Sequence, residues 1–354
     1  LAKGDSVSFM KILNEIKYLS KLAFSNTPVE LVYPVTYRCN SRCAFCSRYK
    51  LQDMSNELDV EKMSEIFKDL KGFGVVRVTL TGGEPLIRPD IMEILKRLDS
   101  MGMKTVLNTN GVLLDEKNIR RLGQFHSLSI AVSFDTMDRA TYARLRGTDH
   151  LDMVIDNVKK ARRICKDMPI RLHMVMTEIN MEEVDDIIGF AKDNGLTFSC
   201  MPYNHMSSLE ARDDELIIKD ERRAADIMRH LGSITHLRMV SGFKVIYEMA
   251  AKWIEKKDIG LCSAGKDVIF MNVDGRVAPC ANMAYFGDLK GQKIKDIYRR
   301  SKWEDGVRKC CNDPICFVGC FWALSAIKRH RAEILADYVR HPLRAWDLLT
   351  KNVY

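Results

Sequence analysis

Between residues 32 and 201 the chain alternates short apolar runs with longer helical stretches, and this alternation limits what it can fold into. Val32–Thr36, Val75–Thr81, Lys104–Leu107, Leu128–Phe134, Ile170–Met176 and Leu196–Met201 read as strands. Helical patterns lie around 60–70, 91–100, 116–122, 139–145, 151–166 and 182–193. Repetition of this kind predicts a parallel sheet with covering helices. About six units fall short of the eight that close a barrel, so the expected fold is α/β, a partial, open (β/α)6 TIM-like barrel. Loops after the C-terminal ends of such strands carry the site, and that is where the chemistry is expected.

Past about residue 205 the pattern changes. A polar stretch, 207–214, precedes helical segments, and "VIFMNVDGRVAPC" (268–280) reads as a hairpin. Ile269, Met271 and Val273 alternate, Asp274-Gly275 makes the turn and Val277 continues. The expected organisation is an amphipathic helix in 1–29, the barrel over 30–205 and a helical linker over 206–254. A small C-terminal domain of hairpin and helices takes 255–325, and a basic amphipathic tail 326–354. Near the start, Phe9, Ile12, Leu13, Ile16, Leu19, Leu22 and Ala23 share one helical face. In the tail, Ile334, Leu335, Tyr338 and Val339 cluster before Pro342. Both faces are expected to pack on the barrel, with peripheral membrane contact or partner docking as the alternative.

Hydrophobic residues make up 46% of the 354 and charged residues 29%, enough for a sizeable core. No run of 18 apolar residues predicts a transmembrane helix. The start lacks the pattern of a secretory signal, so the expected setting is the reducing cytoplasm. There, clusters among the 11 cysteines bind metal or do chemistry more often than they form disulfides. A net charge of +8 reads as a solvated, mildly basic surface. No long basic stripe interleaved with aromatics points to specific nucleic acid.

"YRCNSRCAFC" (37–46) places Cys39, Cys43 and Cys46 in one short polar loop after the first strand. Zinc sites usually pair C-x2-4-C with a second such pair or with histidines. The C-x3-C-x2-C spacing instead lets a loop hold three corners of a cubane cluster. Iron–sulfur clusters are generally held by four cysteines, so three leave one iron open to a small molecule. The stretch resembles the signature of radical S-adenosylmethionine (radical SAM) enzymes, and Phe45 matches the aromatic before the third cysteine. The resemblance implies a 4Fe–4S cluster whose open iron is chelated by the amino and carboxylate groups of S-adenosylmethionine.

Other motifs follow in the family's order. "TLTGGEPLIRPD" (79–90) is similar to the GGE motif, so Gly82, Gly83, Glu84 and Pro85 are implied to receive the methionine ammonium. The glycines permit close backbone approach, and Glu84 is expected to supply a counter-charge. "LNTNG" (107–111) contributes Asn108 and Asn110 as cofactor-binding candidates. Ser133, in "SFD", is similar to the family's ribose-contacting residue. Arg144 and Arg146, in "YARLRG", are candidates for the methionine carboxylate. Asn180 is a weaker match that also suits a helix cap. The resemblance covers about 30–205.

A second group begins with Cys262, Gly275 and Cys280 and continues through "CCNDPICFVGC", with Cys310, Cys311, Cys316 and Cys320. It resembles the auxiliary-cluster extension called SPASM, or its shorter relative Twitch. Val307 stands where that pattern has another cysteine, and none follows Cys320. The resemblance therefore implies one auxiliary 4Fe–4S cluster on Cys262, Cys280, Cys316 and Cys320, with Cys310 or Cys311 able to replace Cys316. Structural or zinc-binding cysteines are the alternative. Cys165 and Cys200 lie in apolar patterns and are expected as buried thiols.

The implied chemistry is reductive cleavage of S-adenosylmethionine to a 5′-deoxyadenosyl radical. That radical abstracts hydrogen from an unactivated C–H of an unidentified substrate, leading to oxidation, C–C bond formation or rearrangement. The cofactors carry such chemistry, so no side chain is nominated as a catalytic residue. His173, on the fifth strand, and Tyr203, Asn204 and His205, after the sixth, are candidates to line the substrate space. The auxiliary cluster would accept an electron from the substrate or hold it, and a flavodoxin or ferredoxin would supply the first electron. The substrate is a small molecule, a lipid or isoprenoid met at a membrane surface, or a peptide. With about 30 residues before the barrel, no peptide-leader domain is expected. From a different class, a non-catalytic iron–sulfur or zinc protein would show the same cysteines.

Overall fold

A computed structural model describes residues 18, 20–21, 24–51, 56–205, 211–237, 239–311, 316–317 and 319–341, without the side chains of 309–311, 320 and 338. All seven residues of the expected N-terminal amphipathic face, the tail from Pro342 onward, and the side chains of Cys310, Cys311, Cys320 and Tyr338 lie outside the described residues.

Six parallel strands form the expected open barrel: β1 (Glu30–Thr36), β2 (Arg77–Gly82), β3 (Lys104–Thr109), β4 (Leu128–Ser133), β5 (Ile170–Met176) and β6 (Thr197–Pro202). They lie in chain order, each paired in parallel with the next. The covering helices start where aspartate can cap them. Asp59, Asp115, Asp138 and Asp220 each accept from a backbone N–H in the first turn of the helix that follows, at 2.7–2.9 Å. The helix Val60–Phe73 buries Val60, Met63, Ile66, Phe67 and Leu70 at helical spacing. Phe67 meets Tyr33 of β1 edge-on, with ring centroids 6.1 Å apart.

Strand alternation then sorts the two faces of the sheet. On β5, Ile170, Leu172, Met174 and Met176 are buried under helices, while Arg171, His173 and Val175 face the barrel lumen. Cys200, on the helix side of β6, is fully buried, and Cys165 is buried against Ile119, as expected of inert thiols.

The sequence pattern predicts the C-terminal hairpin but not where it goes. β7 (Val268–Met271) adds in parallel to the free edge of β1, pairing Glu30 with Val268 and Val32 with Phe270. β8 (Arg276–Ala278) and β9 (Gly287–Asp288) continue antiparallel, giving one nine-stranded sheet. All four residues of β7 are buried, because the strand is covered on both faces. The helices Glu221–Ile234 and Lys244–Ile254 bury Leu231 and Tyr247 beyond β6. Trp253 of the second stacks on Phe317, and Phe317 on Trp322 of the helix Gly319–Arg329, at 5.5 and 6.1 Å. Among the described residues no helix is long and apolar enough to cross a membrane.

Candidate active site

The loop bearing Cys39, Cys43 and Cys46 leaves β1 at the C-terminal end of the sheet and is fastened on three sides. On one side is the strand-two turn, where Gly83 N donates to Thr36 O and Glu84 N to Arg38 O, each at 2.8 Å. A Cβ on Gly82 or Gly83 would stand 2.1 Å from those two oxygens, and Gly82 adopts φ +127°. The close approach expected of these glycines is thus made to the cysteine loop itself. On the second side, Arg42 N and Ala44 N donate to Arg146 O and Leu145 O, at 3.1 and 2.9 Å. Gly147 ends that helix at φ +64°, where a Cβ would meet Arg42 O at 2.5 Å. On the third, Ala211 N donates to Phe45 O at 3.1 Å, and Phe45 packs against Tyr203 with centroids 6.3 Å apart.

All three cysteines are free and half-buried. Burial pushes the Cys39 thiol up to about 11, against the opposing Ser41 N–H, and raises Cys43 as well, against the opposing Arg146 charge. Among the described residues no three His, Cys, Asp or Glu side chains are drawn together as a single-ion site needs. The donor set is three thiols of one loop, which suits three corners of a cluster better than one zinc.

Arg146 is brought to this loop and Arg144 is not. Arg146 Nη1 lies 3.8 Å from Cys43 Sγ, its guanidinium 5.4 Å from the centre of the Phe45 ring, and its Nη2 pairs with Asp135. Its Nε is buried with no acceptor among the described residues. Arg144 instead pairs with Asp213 and Glu215 at the surface, each at 2.8 Å. One turn position decides this, because residues two apart on a helix do not share a face.

Glu84 is not a free counter-charge. It is fully buried and accepts from Leu86 N at 3.0 Å, Thr109 Oγ1 at 2.9 Å and Asn110 N at 2.7 Å. Burial raises its carboxyl to about 7 despite those three donors. Its contacts tie the glycine turn to the end of β3, with Pro85 buried behind it. Asn110 relays that anchor to the cysteine loop: its Nδ2 meets Asn40 Oδ1 at 2.7 Å, Ser41 Oγ at 3.1 Å and Cys39 Sγ at 4.0 Å. Asn108 is half-exposed on the lumen face of β3.

Ser133 stands beside His173 in register, and His173 beside Ser199, whose Oγ is 2.8 Å from Nδ1. Burial, then the charges of Arg171 and Arg146, lower the His173 imidazole to about 3, so it faces the lumen neutral. Asn180 does not cap the helix that follows. It accepts from Thr177 N at 2.7 Å and donates to Asp135 O at 2.9 Å, joining the ends of β5 and β4. Deeper in the lumen, Glu30 accepts from Thr79 at 2.8 Å and faces Arg77 at 3.6 Å, with Lys104 4.6 Å from the Tyr18 ring centre.

Of the second cysteine group, Cys262 and Cys280 lie at the hairpin that joins the barrel. Cys280 is buried in the small core around β7, and Cys262 packs on that core. Two amides reach the Cys316 sulfur: Asn282 Nδ2 at 3.7 Å and Asn204 Nδ2 at 3.9 Å. Ala264 N donates to the Cys262 sulfur at 3.4 Å, and N–H donors of this kind suit sulfurs that serve as iron–sulfur ligands. Sequence reasoning missed Asp135, Gly147 and Asn282. Gly147 was the findable one, since glycine directly after a helical run marks a C-terminal cap.

Residues 33–191 match the Radical SAM superfamily, and residues 262–321 match SPASM, an iron-sulfur cluster-binding domain. A protein of Methanothermobacter thermautotrophicus named probable GTP 3′,8-cyclase is 34% identical over 166 residues, 46% of this chain and 53% of its own length. The GTP 3′,8-cyclase of Synechocystis is 33% identical over 162 residues, 45% and 49% of the two chains. The chain thus spans about half the length of these curated relatives. Streptococcus suis SuiB bound to S-adenosylmethionine superposes with TM-score 0.64 at 20% identity, over 88% of this chain and 77% of SuiB. Native anSMEcpe with bound AdoMet and a peptide superposes with TM-score 0.62 at 16% identity, over 79% and 82%. With the cysteine loop on β1 and the second thiol group beside the hairpin, the chain belongs to the radical SAM enzymes, with a C-terminal SPASM iron–sulfur domain and with 4Fe–4S clusters and S-adenosylmethionine as its cofactors.

Proposed function

We propose that this enzyme reductively cleaves S-adenosylmethionine and uses the resulting radical to abstract hydrogen from a C–H bond of a polar substrate held in the barrel lumen. The observation that carries the reading is the Cys39/Cys43/Cys46 loop, clamped by three elements above a lumen faced by Thr79, Ser133, His173 and Ser199. When bound, the cluster supplies one electron to S-adenosylmethionine, giving methionine and a 5′-deoxyadenosyl radical. The chain's residues hold and orient. Arg146 offers its buried Nε to the methionine carboxylate, and the half-buried Gly82-Gly83 turn offers backbone oxygens to the ammonium. Ser133 and Asn108 face the lumen where the adenosine would lie, and Phe45 screens the third cysteine.

In this reading residues 30–205 form the cleaving barrel, 206–254 a helical linker and 255–325 the auxiliary-cluster unit, with Cys262, Cys280, Cys316 and Cys320 as its ligands. A reduced flavodoxin or ferredoxin in the cytoplasm supplies the electron. The polar lumen supports a hydrophilic substrate over a lipid tail. The relatives named GTP 3′,8-cyclase support a second reading, a phosphorylated substrate.

Anaerobic reconstitution followed by dithionite and S-adenosylmethionine tests the chemistry. The expected result is 5′-deoxyadenosine from the wild type and none from Cys39/Cys43/Cys46→Ala. Iron counting should give about eight irons falling to about four in that variant, for two cubane clusters. No 5′-deoxyadenosine from protein that holds its full iron, with cell extract supplied as a source of substrate, favours a non-catalytic iron–sulfur protein.

A further inference from the structure

Asn204 directly follows Tyr203 at the C-terminal end of β6, and its side chain is 2% exposed. Its Nδ2 points at the Cys316 sulfur, 3.9 Å away, and Asn282 Nδ2 points at the same sulfur from 3.7 Å. Asn282 lies two residues beyond Cys280, so each donor belongs to a different segment around the thiol group. The Asn204 Oδ1 is buried and has no hydrogen-bond partner among the described residues.

That orphaned oxygen is informative. A buried amide oxygen without a donor costs stability, whereas an apolar side chain of the same shape would not. The fold therefore keeps the amide at Asn204 against a stability cost, and the interaction it gains is the N–H···S contact. Tyr203, one residue earlier, packs on Phe45, which precedes Cys46, with centroids 6.3 Å apart. The pair Tyr203-Asn204 thus touches the surroundings of both cysteine groups. Hydrogen bonds to ligand sulfurs are one of the levers that set an iron–sulfur reduction potential. A donor favours the reduced state, which carries the extra negative charge, and so moves the potential upward.

We infer that Asn204 is a positioning residue that raises the reduction potential of the auxiliary cluster through its hydrogen bond to Cys316, with Asn282 as the second donor. The inference rests on the proposed ligand set of Cys262, Cys280, Cys316 and Cys320.

The test is an anaerobic redox titration followed by electron paramagnetic resonance on the full chain reconstituted with iron and sulfide. Cys39/Cys43/Cys46→Ala serves as the parent, so that only the auxiliary cluster contributes. Asn204→Ala and the shape-matched Asn204→Leu should each retain about four irons and titrate at a more negative potential than the parent. Asn282→Ala should move it the same way, and the double variant further than either. An unchanged potential in both Asn204 variants at full iron overturns the inference. Loss of iron from both also overturns it, by making Asn204 a support for cluster retention. A parent that holds no iron while the wild type does removes the auxiliary ligand set itself, and the inference falls with it.

Discussion

Arg146 Nη1 stands 3.8 Å from the Cys43 sulfur while Nη2 of the same guanidinium pairs with the fully buried Asp135 carboxylate. One side chain therefore neutralises a strand-end acid and faces a ligand thiol. Arg146→Met should destabilise the metal-free protein by about 3–5 kcal/mol, because it leaves a buried charge without its partner. Asp135→Asn with Arg146→Met should recover much of that loss. Urea denaturation of the single and double variants measures both, and equal stability of the single variant and the wild type would refute the pairing.

His173 predicts an acid sensitivity. Its imidazole is depressed from about 6.5 to about 3 in the fold, so the unfolded chain binds the extra proton between those values. Its contribution to stability is complete above about pH 6.5 and is lost as pH falls through the window toward about 3. His173→Gln should melt with a shallower dependence on pH across that range. Parallel slopes for variant and wild type would mean that His173 is not held neutral.

Gly147→Ala should loosen the cysteine loop. The new Cβ would press on Arg42 O at 2.5 Å, at a φ of +64° that alanine adopts only with strain. The expected result is a chain still folded, less stable by about 1–3 kcal/mol, that retains mainly the auxiliary irons after reconstitution. Iron analysis beside circular dichroism separates loss of the cluster from loss of the fold.

Glu84→Ala removes the acceptor shared by Leu86 N, Thr109 Oγ1 and Asn110 N. Leaving buried donors unsatisfied costs about 1–3 kcal/mol each, so a loss of about 3 kcal/mol or more is expected, read by chemical denaturation. Binding of S-adenosylmethionine should weaken as well, through displacement of the Gly82-Gly83 turn. Isothermal titration on the reconstituted protein reports it.

The barrel was legible because its signal is local and repeated. Each strand carries its own alternation and each helix its own stripe, as β5 and Val60–Phe73 show. The cysteine loop was legible because three ligands sit close together in sequence. What escaped was long-range. Nothing local to "SFD" tells that Asp135 will face Arg146, and nothing near Asn282 tells that Cys316 will lie beside it. Arg144 and Arg146 look equivalent in sequence, yet the direction of each on its helix sends one to Asp213 and the other to Cys43. Glu84 shows a different limit: its residue type suits a counter-charge, but neighbours 25 and 26 residues away claim its oxygens first.

The pairing of β7 with β1 carries a consequence for how the protein comes to be folded. β1 pairs with β2 on one side, and its other edge stays bare until a segment more than 230 residues later is synthesised. During that interval the strand that launches the cysteine loop presents unpaired backbone donors and acceptors, the feature that recruits other chains into aggregates. A fragment ending after the sixth strand would keep that bare edge for good. Assembly of the first cysteine site is in this way tied to completion of the second, and only a finished chain has a sealed cradle in which to build its cluster.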